Sequence, residues 1–309
     1  MQEFLPEGFL LETAENRRYT ESLEGLRAAQ AQNRVLEARA VRCSAAHDLY
    51  VQLGEIQGVL ERARCAWGLT EGTVRDVAVL SRVGKPVCFR VAGFRPAAGG
   101  VAALLDRRSV QEDCLRGQLA RLRPGDVLDA VVTRSEPFGA FCDIGAGIAA
   151  LLPIDSICVS RIPHPDARFS PGQRIRAVVR GRDALGRILL THKELLGTWL
   201  ENAARFSPGE TVPGIVRSCE PYGVFIELAP NLAGLAEPTP GVRPGDGVSV
   251  YIKSIQPERM KVKLAVVDRF PAPVRAPACR YPDVRRLTRW VYSPPDCKKR
   301  IETVFSEIP

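Results

Sequence analysis

The stretch VLDAVVTRSEPFGAFCDIGAGIAALLP, residues 127–153, alternates apolar and polar positions and is broken by two turns. It reads as a strand from Val127 to Arg134, a second from Gly139 to Ile144 and a short third from Ile148 to Leu152. The same pattern recurs as VLEARAVRCSAAHDLYVQLGEIQGVLE (35–61) and as TVPGIVRSCEPYGVFIELAPNLAGLAE (211–237). Three copies at this spacing lie too far apart for a solenoid repeat and fit three small modules joined by linkers. Two further alternating runs follow the second copy, QRIRAVVRG (173–181) and GRILLTH (186–192), and the third copy is followed by GVSVYIKSI (247–255) and KVKLAV (261–266).

Five short strands per module predict a closed barrel of the OB type, since an open sheet would leave its edges unpaired. The expected fold class is mainly β: tandem five-stranded barrels joined by short helical linkers, with a helical N-terminal segment and a Pro-rich basic C-terminal tail. The expected boundaries are an N-terminal helical segment over 1–33, a degenerate module over 34–110, a linker helix over 111–123, a module over 124–193, a linker helix over 194–207, a module over 208–267 and the tail over 268–309.

The chain has 309 residues, 45% of them hydrophobic, with 43 Lys and Arg against 35 Asp and Glu. This usage rules out wholesale disorder, and no apolar run reaches membrane-spanning length, so a soluble, cytoplasmic protein without a membrane partner is expected. Nine scattered cysteines without a CxxC pair point to buried thiols in a reducing compartment. With only three histidines there is no local basis for a metal cluster. No cofactor motif is present, and neither a phosphate loop nor a paired-carboxylate arrangement supports an enzyme. Residues 269–309 carry nine Lys and Arg against four Asp and Glu, together with seven prolines. Most of that tail is excluded from regular structure, and it fits a nucleic-acid arm or a solvated extension equally well.

Strand alternation says which side chains are wet. In the second module Phe141 and Asp143 share a face opposite Ala140, Cys142 and Ile144. In the third, Phe225 and Glu227 oppose Val224, Ile226 and Leu228, and in the first, Tyr50 and Gln52 oppose Leu49, Val51 and Leu53. If the carboxylates require water, the rings stand on the exposed face beside them. Phe138 and Tyr222 lie three positions earlier, and a bulge at Gly139 or Gly223 would bring each to the same side. Cations join this face on later strands: Arg174, Arg176, Arg180 and Arg187 in the second module, and Lys253, Lys261 and Lys263, with Tyr251, in the third. Rings interleaved with cations suit single-stranded nucleic acid, because bases stack on rings and Lys or Arg neutralises phosphates. The plainer alternative is that each ring packs under a loop. Asp143 and Asp183 read as solvated or Arg-paired carboxylates, and His192 as a strand-end residue.

The runs EPFGAFCDIGAGIAALLP and EPYGVFIELAPNLAGLAE, each followed by a basic-hydrophobic closing strand, resemble the S1 RNA-binding domain of bacterial ribosomal protein S1, strongly over about 124–267 and weakly over 34–110. The chain is similar to the short S1-like proteins with fewer modules. The resemblance implies an OB barrel that binds on strands two and three, with the aromatic pair at Phe138 and Phe141 and at Tyr222 and Phe225. It also implies an Asp and Arg at the last turn, here Asp183 and Arg187; the third module departs with Pro257 and Lys261. A His frequent after the third strand is replaced by Pro153 and Glu237. In the first module His47 and Tyr50 stand in for the aromatic pair and the closing GGVAALLD lacks a cation, so a structural or protein-contact role is expected there.

The leading expectation is a non-enzymatic binder of single-stranded RNA, specifically mRNA in translation, with the small ribosomal subunit as a candidate partner. Alternatives are a regulator of RNA decay or transcription built on the same modules, and an OB-fold adaptor whose exposed rings bind protein.

Overall fold

The computed structural model describes residues 4–97, 100–273 and 281–306. Cys279 and the tail segment around it lie outside them. The described chain contains three closed five-stranded barrels and divides into two compact units.

The first unit holds residues 4–122 with 129–131 and 143–149. Its barrel is built from β1 (Leu36–Cys43), β2 (Leu49–Leu53), β3 (Ile56–Leu60), β4 (Pro86–Ala97) and β5 (Gly100–Asp106). β1, β2 and β3 pair antiparallel in sequence, β3 pairs parallel with β5, and β4 closes the barrel against β5 and β1. Inward-facing Leu36, Ala38, Ala40, Leu49, Val51, Leu53, Val87 and Phe89 form its core. Two N-terminal helices, Ala14–Thr20 and Leu23–Ala31, add Tyr19, Leu26 and Ala29 to it. Side chains of Thr13 and Ser22 accept the N–H groups of Asn16 and Gly25 and so start these helices.

Ahead of the helices the chain is held by buried carboxylates. Glu7 accepts from Arg107 Nε at 2.6 Å and from Arg82 Nη1 at 2.9 Å. Glu37 accepts the N–H groups of Gly8, Leu10 and Leu11, and burial pushes its carboxyl up to about 7. Asp143 is also buried, contrary to the expectation that it faces water. Its Oδ2 accepts the N–H of Glu7 at 2.7 Å, and its Oδ1 accepts those of Gly145 and Gly147. Burial, then the Glu7 carboxylate, raises the Asp143 pKa, whereas the two arginines hold Glu7 below the ordinary range.

The second unit contains residues 123–128, 132–142 and most of the chain from 150 onward. The second barrel uses β6 (Val127–Glu136), β7 (Gly139–Asp143), β8 (Ala149–Pro153), β9 (Arg174–Arg182) and β10 (Ile188–Thr191). The third uses β11 (Thr211–Glu220), β12 (Gly223–Ala229), β13 (Leu232–Ala236), β14 (Asp246–Gln256) and β15 (Lys261–Pro273). Its pairing repeats that of the first barrel, with β13 parallel to β15 and β11 closing against β14. Between these two barrels Arg168 and Arg217 both donate to the buried Glu227. Asn231 receives the N–H of Val159 and donates to the carbonyls of Lys193 and Gly197. Glu227 therefore does not face water either.

The described tail residues 281–306 pack, which overturns the solvated-extension reading for them. Trp290 and Tyr292 join the core of the third barrel, and Phe305 packs against Val178 and Leu195 of the second. That cover explains why Val178 is buried although strand alternation places it outward. Tail strands β16 (Arg289–Val291) and β17 (Glu302–Val304) pair with each other. Gly125 takes a φ of +91°, and a Cβ there would lie 1.9 Å from the Leu287 carbonyl, so only glycine admits the tail.

Candidate nucleic-acid interface

In the third barrel the β11–β12 hairpin pairs Glu220 with Gly223, leaving Pro221 and Tyr222 as its two-residue turn. Tyr222 reaches the side of Phe225 from the turn, and the ring centroids stand 6.1 Å apart, edge to face. The expected bulge at Gly223 is replaced by this turn, and the actual irregularity lies at Arg217, between Val216 and Ser218. Glycine at 223 serves close approach instead, since a Cβ would meet the Ala236 carbonyl at 2.5 Å. Tyr222 is 66% exposed, whereas Phe225 is half-buried against Leu235, its cross-strand partner. In the second barrel Phe138 is 55% exposed, Phe141 half-buried, and their centroids also 6.1 Å apart.

Rings and cations converge in the third barrel. A cleft of about 460 Å³ is lined by Tyr222 and Phe225 on one side and by Lys253, Lys261 and Lys263 on the other, with Leu235 and Glu237 between. The alternation read from β14 and β15 holds: Val248, Val250, Ile252, Val262 and Leu264 are buried while Tyr251 and the three lysines are exposed. Tyr251 does not line this cleft. Lys253 Nζ lies 2.9 Å from Glu237 Oε1, and this bond lowers the Glu237 pKa, so the acid is ionised at neutral pH.

The arginines of the second barrel are differently placed. Arg176 is half-buried and donates to the tail carbonyls of Pro282 and Val284, at 2.7 and 2.6 Å, so it is occupied by the chain itself. Arg180 is exposed but donates to Ser156 Oγ. Asp183 accepts the N–H of Leu185 and both the N–H and Nε of Arg187, which braces the β9–β10 turn and lowers the Asp183 pKa. Arg187 keeps most of its guanidinium in solvent, and Arg174 is exposed at the start of β9.

Two features escaped the sequence reading. Arg134 lies over the Phe141 ring, 5.3 Å from its centroid, and Arg42 lies over Tyr50 at 3.6 Å in the first barrel. The third barrel has Ser218 opposite Phe225, while its neighbouring arginine, Arg217, donates to the buried Glu227. His192 directly follows β10, as a strand-end residue, and is fully buried, edge to face with Phe169 and Tyr281. Its Nδ1 donates to the Ile157 carbonyl, its Nε2 accepts from the Tyr281 hydroxyl, and burial lowers its pKa to about 4. Among the described residues five cysteines are buried and Cys219 is exposed, and no group of three or more His, Cys, Asp or Glu forms a metal cage. No described helix is long and apolar enough to cross a membrane.

Closed five-stranded barrels with a parallel third–fifth strand pairing define an OB-fold protein. Residues 121–193 match the S1 RNA binding domain. The chain is S1-like along more of its length: it is 31% identical over 215 residues to small ribosomal subunit protein bS1 of Staphylococcus aureus (strain COL), covering 64% of this chain and 54% of that protein. It is 31% identical over 168 residues to bS1 of Rhodopseudomonas palustris, covering 52% of this chain and 29% of that one. It thus spans about half, or less, of the length of these relatives. A multidomain protein with nucleic acid binding domains from Streptococcus pneumoniae aligns over 75% of this chain and 73% of its own, at 13% identity and a TM-score of 0.25.

Proposed function

We propose that the chain binds single-stranded RNA in translation, as a cytoplasmic S1-like protein, without performing chemistry on it. The observation that carries this reading is the third-barrel cleft, where Tyr222 and Phe225 face Lys253, Lys261 and Lys263. Bases stack on the rings and the ammonium groups neutralise phosphates. The net charge of +8 favours the same polyanionic ligand. The second barrel offers a weaker platform through Phe138, Phe141, Arg174 and Arg187. Its Arg176, Arg180 and Asp183 serve the fold, and Tyr251 contributes from outside the cleft. The first barrel, with Tyr50 under Arg42, serves structure or protein contact, and the small ribosomal subunit is a candidate partner of the chain. The modules over 34–110, 124–193 and 208–267 act as the working divisions of the chain.

A salt titration with an unstructured oligoribonucleotide tests this. The log–log slope of affinity against salt should be steep, and Lys261→Ala with Lys263→Ala should flatten it by about 0.7 for each phosphate that is no longer neutralised. A shallow wild-type slope, unchanged in the double variant, points instead to a protein-binding cleft.

A further inference from the structure

Among the described residues lining the third-barrel cleft, Glu237 is the only acid. Its place is awkward for a phosphate groove: a carboxylate 84% exposed beside three lysines reduces the very field that would draw phosphates. Pairing with Lys253 is a weak reason for its presence, because an exposed ion pair contributes little to stability. A carboxylate at the edge of a stacking platform can do something else, which is to accept hydrogen bonds from the edge of a base held on the rings. Glu237 directly follows β13, whose last residue, Ala236, is paired with Val224 on the ring-bearing strand β12, so its backbone is fixed beside the platform. Lys253 Nζ, 2.9 Å from Oε1, sets a donor next to this acceptor.

The four bases present different edges to such a pair. Guanine offers two donors, N1–H and N2–H, to one carboxylate, and its O6 lies alongside to accept from an ammonium. Cytosine and adenine offer one amino group, next to an unprotonated ring nitrogen that would face the carboxylate. Uracil offers one N–H flanked by two carbonyl oxygens. The acceptor-only chemistry of a carboxylate therefore ranks guanine first and uracil last.

Building on the reading of this cleft as an RNA site, we infer that it selects guanine among the bases of a single strand, with Glu237 as the specificity-determining residue. The full chain is titrated with four U-rich oligoribonucleotides of equal length that differ only in one central base, G, A, C or U, and binding is followed by fluorescence anisotropy. The G-containing strand should bind roughly fivefold or more tightly than the all-U strand, the scale of one paired hydrogen-bond contact to a base. In Glu237→Gln, which removes the charge and one of the two acceptors, that preference should fall below about twofold, and the all-U strand should bind at least as well as to wild type. Equal binding of all four strands to wild type, with Phe225→Ala still weakening each, overturns guanine selection and leaves the RNA cleft standing. A guanine preference that survives in Glu237→Gln also overturns the role of Glu237. If Phe225→Ala binds every strand as wild type does, the cleft itself is not the RNA site and both conclusions fall.

Discussion

The second and third barrels come from copies of one sequence pattern, yet they treat the same ring differently. On β7 the ring of Phe141 is covered by Arg134, whereas on β12 Phe225 faces Ser218 and opens into a cleft. The cause is a one-residue exchange on the first strand. Where the second barrel has Thr133 then Arg134, the third has Arg217 then Ser218. Arg217 is the extra residue at the irregularity of β11, and from there it reaches the buried Glu227, which shares its face of β12 with Phe225. A cation that shields the platform in one copy becomes internal structure in the next.

The largest expected effect lies at that internal arginine. Arg217→Leu leaves Glu227 buried with Arg168 as its remaining cation and should destabilise the second unit by about 3 kcal/mol in denaturant unfolding. The counterpart Thr133 bonds only the Phe141 carbonyl, so Thr133→Val should cost about 1 kcal/mol. Equal losses at the two sites would erase the contrast.

Acid should separate the barrels next. His192 follows β10 in the second barrel, and the aligned position in the third is Val266. Folded His192 titrates at about 4, below its unfolded value of 6.5. Between those two values the unfolded chain holds a proton that the folded chain does not, so the stability His192 contributes is complete above 6.5 and is lost as pH falls toward 4. The full loss is about 3 kcal/mol. Glu37 in the first unit, raised to about 7, acts in the opposite sense, losing stability as pH rises from its unfolded value toward 7. The measurement is therefore the difference between wild type and His192→Gln at pH 7 and at pH 4.5, which should shrink at the lower pH. A pH-independent difference would show that the ring does not titrate in this window.

RNA affinity should distinguish the two platforms more gently. Phe225→Ala should weaken binding by about 1–3 kcal/mol in fluorescence titration, and Phe141→Ala by less, because Arg134 already covers that ring. The smallest effect comes from exchanging the covers. Arg134→Ser should gain, and Ser218→Arg lose, about 0.5–1 kcal/mol of RNA affinity, the scale of an exposed cation–π contact. Opposite signs would mean that the arginine belongs to the RNA contact instead of competing with it.

The barrels were legible because a period of two, repeated three times, fixes which side chains enter a core, and Val248, Val250 and Ile252 lie inward as the alternation requires. The wet side was harder to read. A charge marks solvent only when no partner reaches it, and Asp143 and Glu227 are reached by backbone amides and by arginines distant in sequence. The ring pairs were found on partly mistaken grounds, since their carboxylate neighbours are buried and Tyr222 arrives from a turn. The cover on Phe141 depends on which of two adjacent residues carries the arginine, a difference visible in the aligned copies only once the strand register is known. The tail hid its role because proline content argues against regular structure but not against packing. Trp290, Tyr292 and Phe305 were the signal that composition obscured.

That tail sets an order of events. Trp290 and Tyr292 join the core of the third barrel, while Leu287 and Phe305 pack over the outward-facing Val178 of the second, so neither barrel is fully covered until the ribosome has released residues 281–305. During synthesis both barrels wait with apolar surface uncovered, and a chain stalled before Trp290 would offer that surface to chaperones or to aggregation. The two barrels of the second unit thus gain their last cover only after all of their strands have been made.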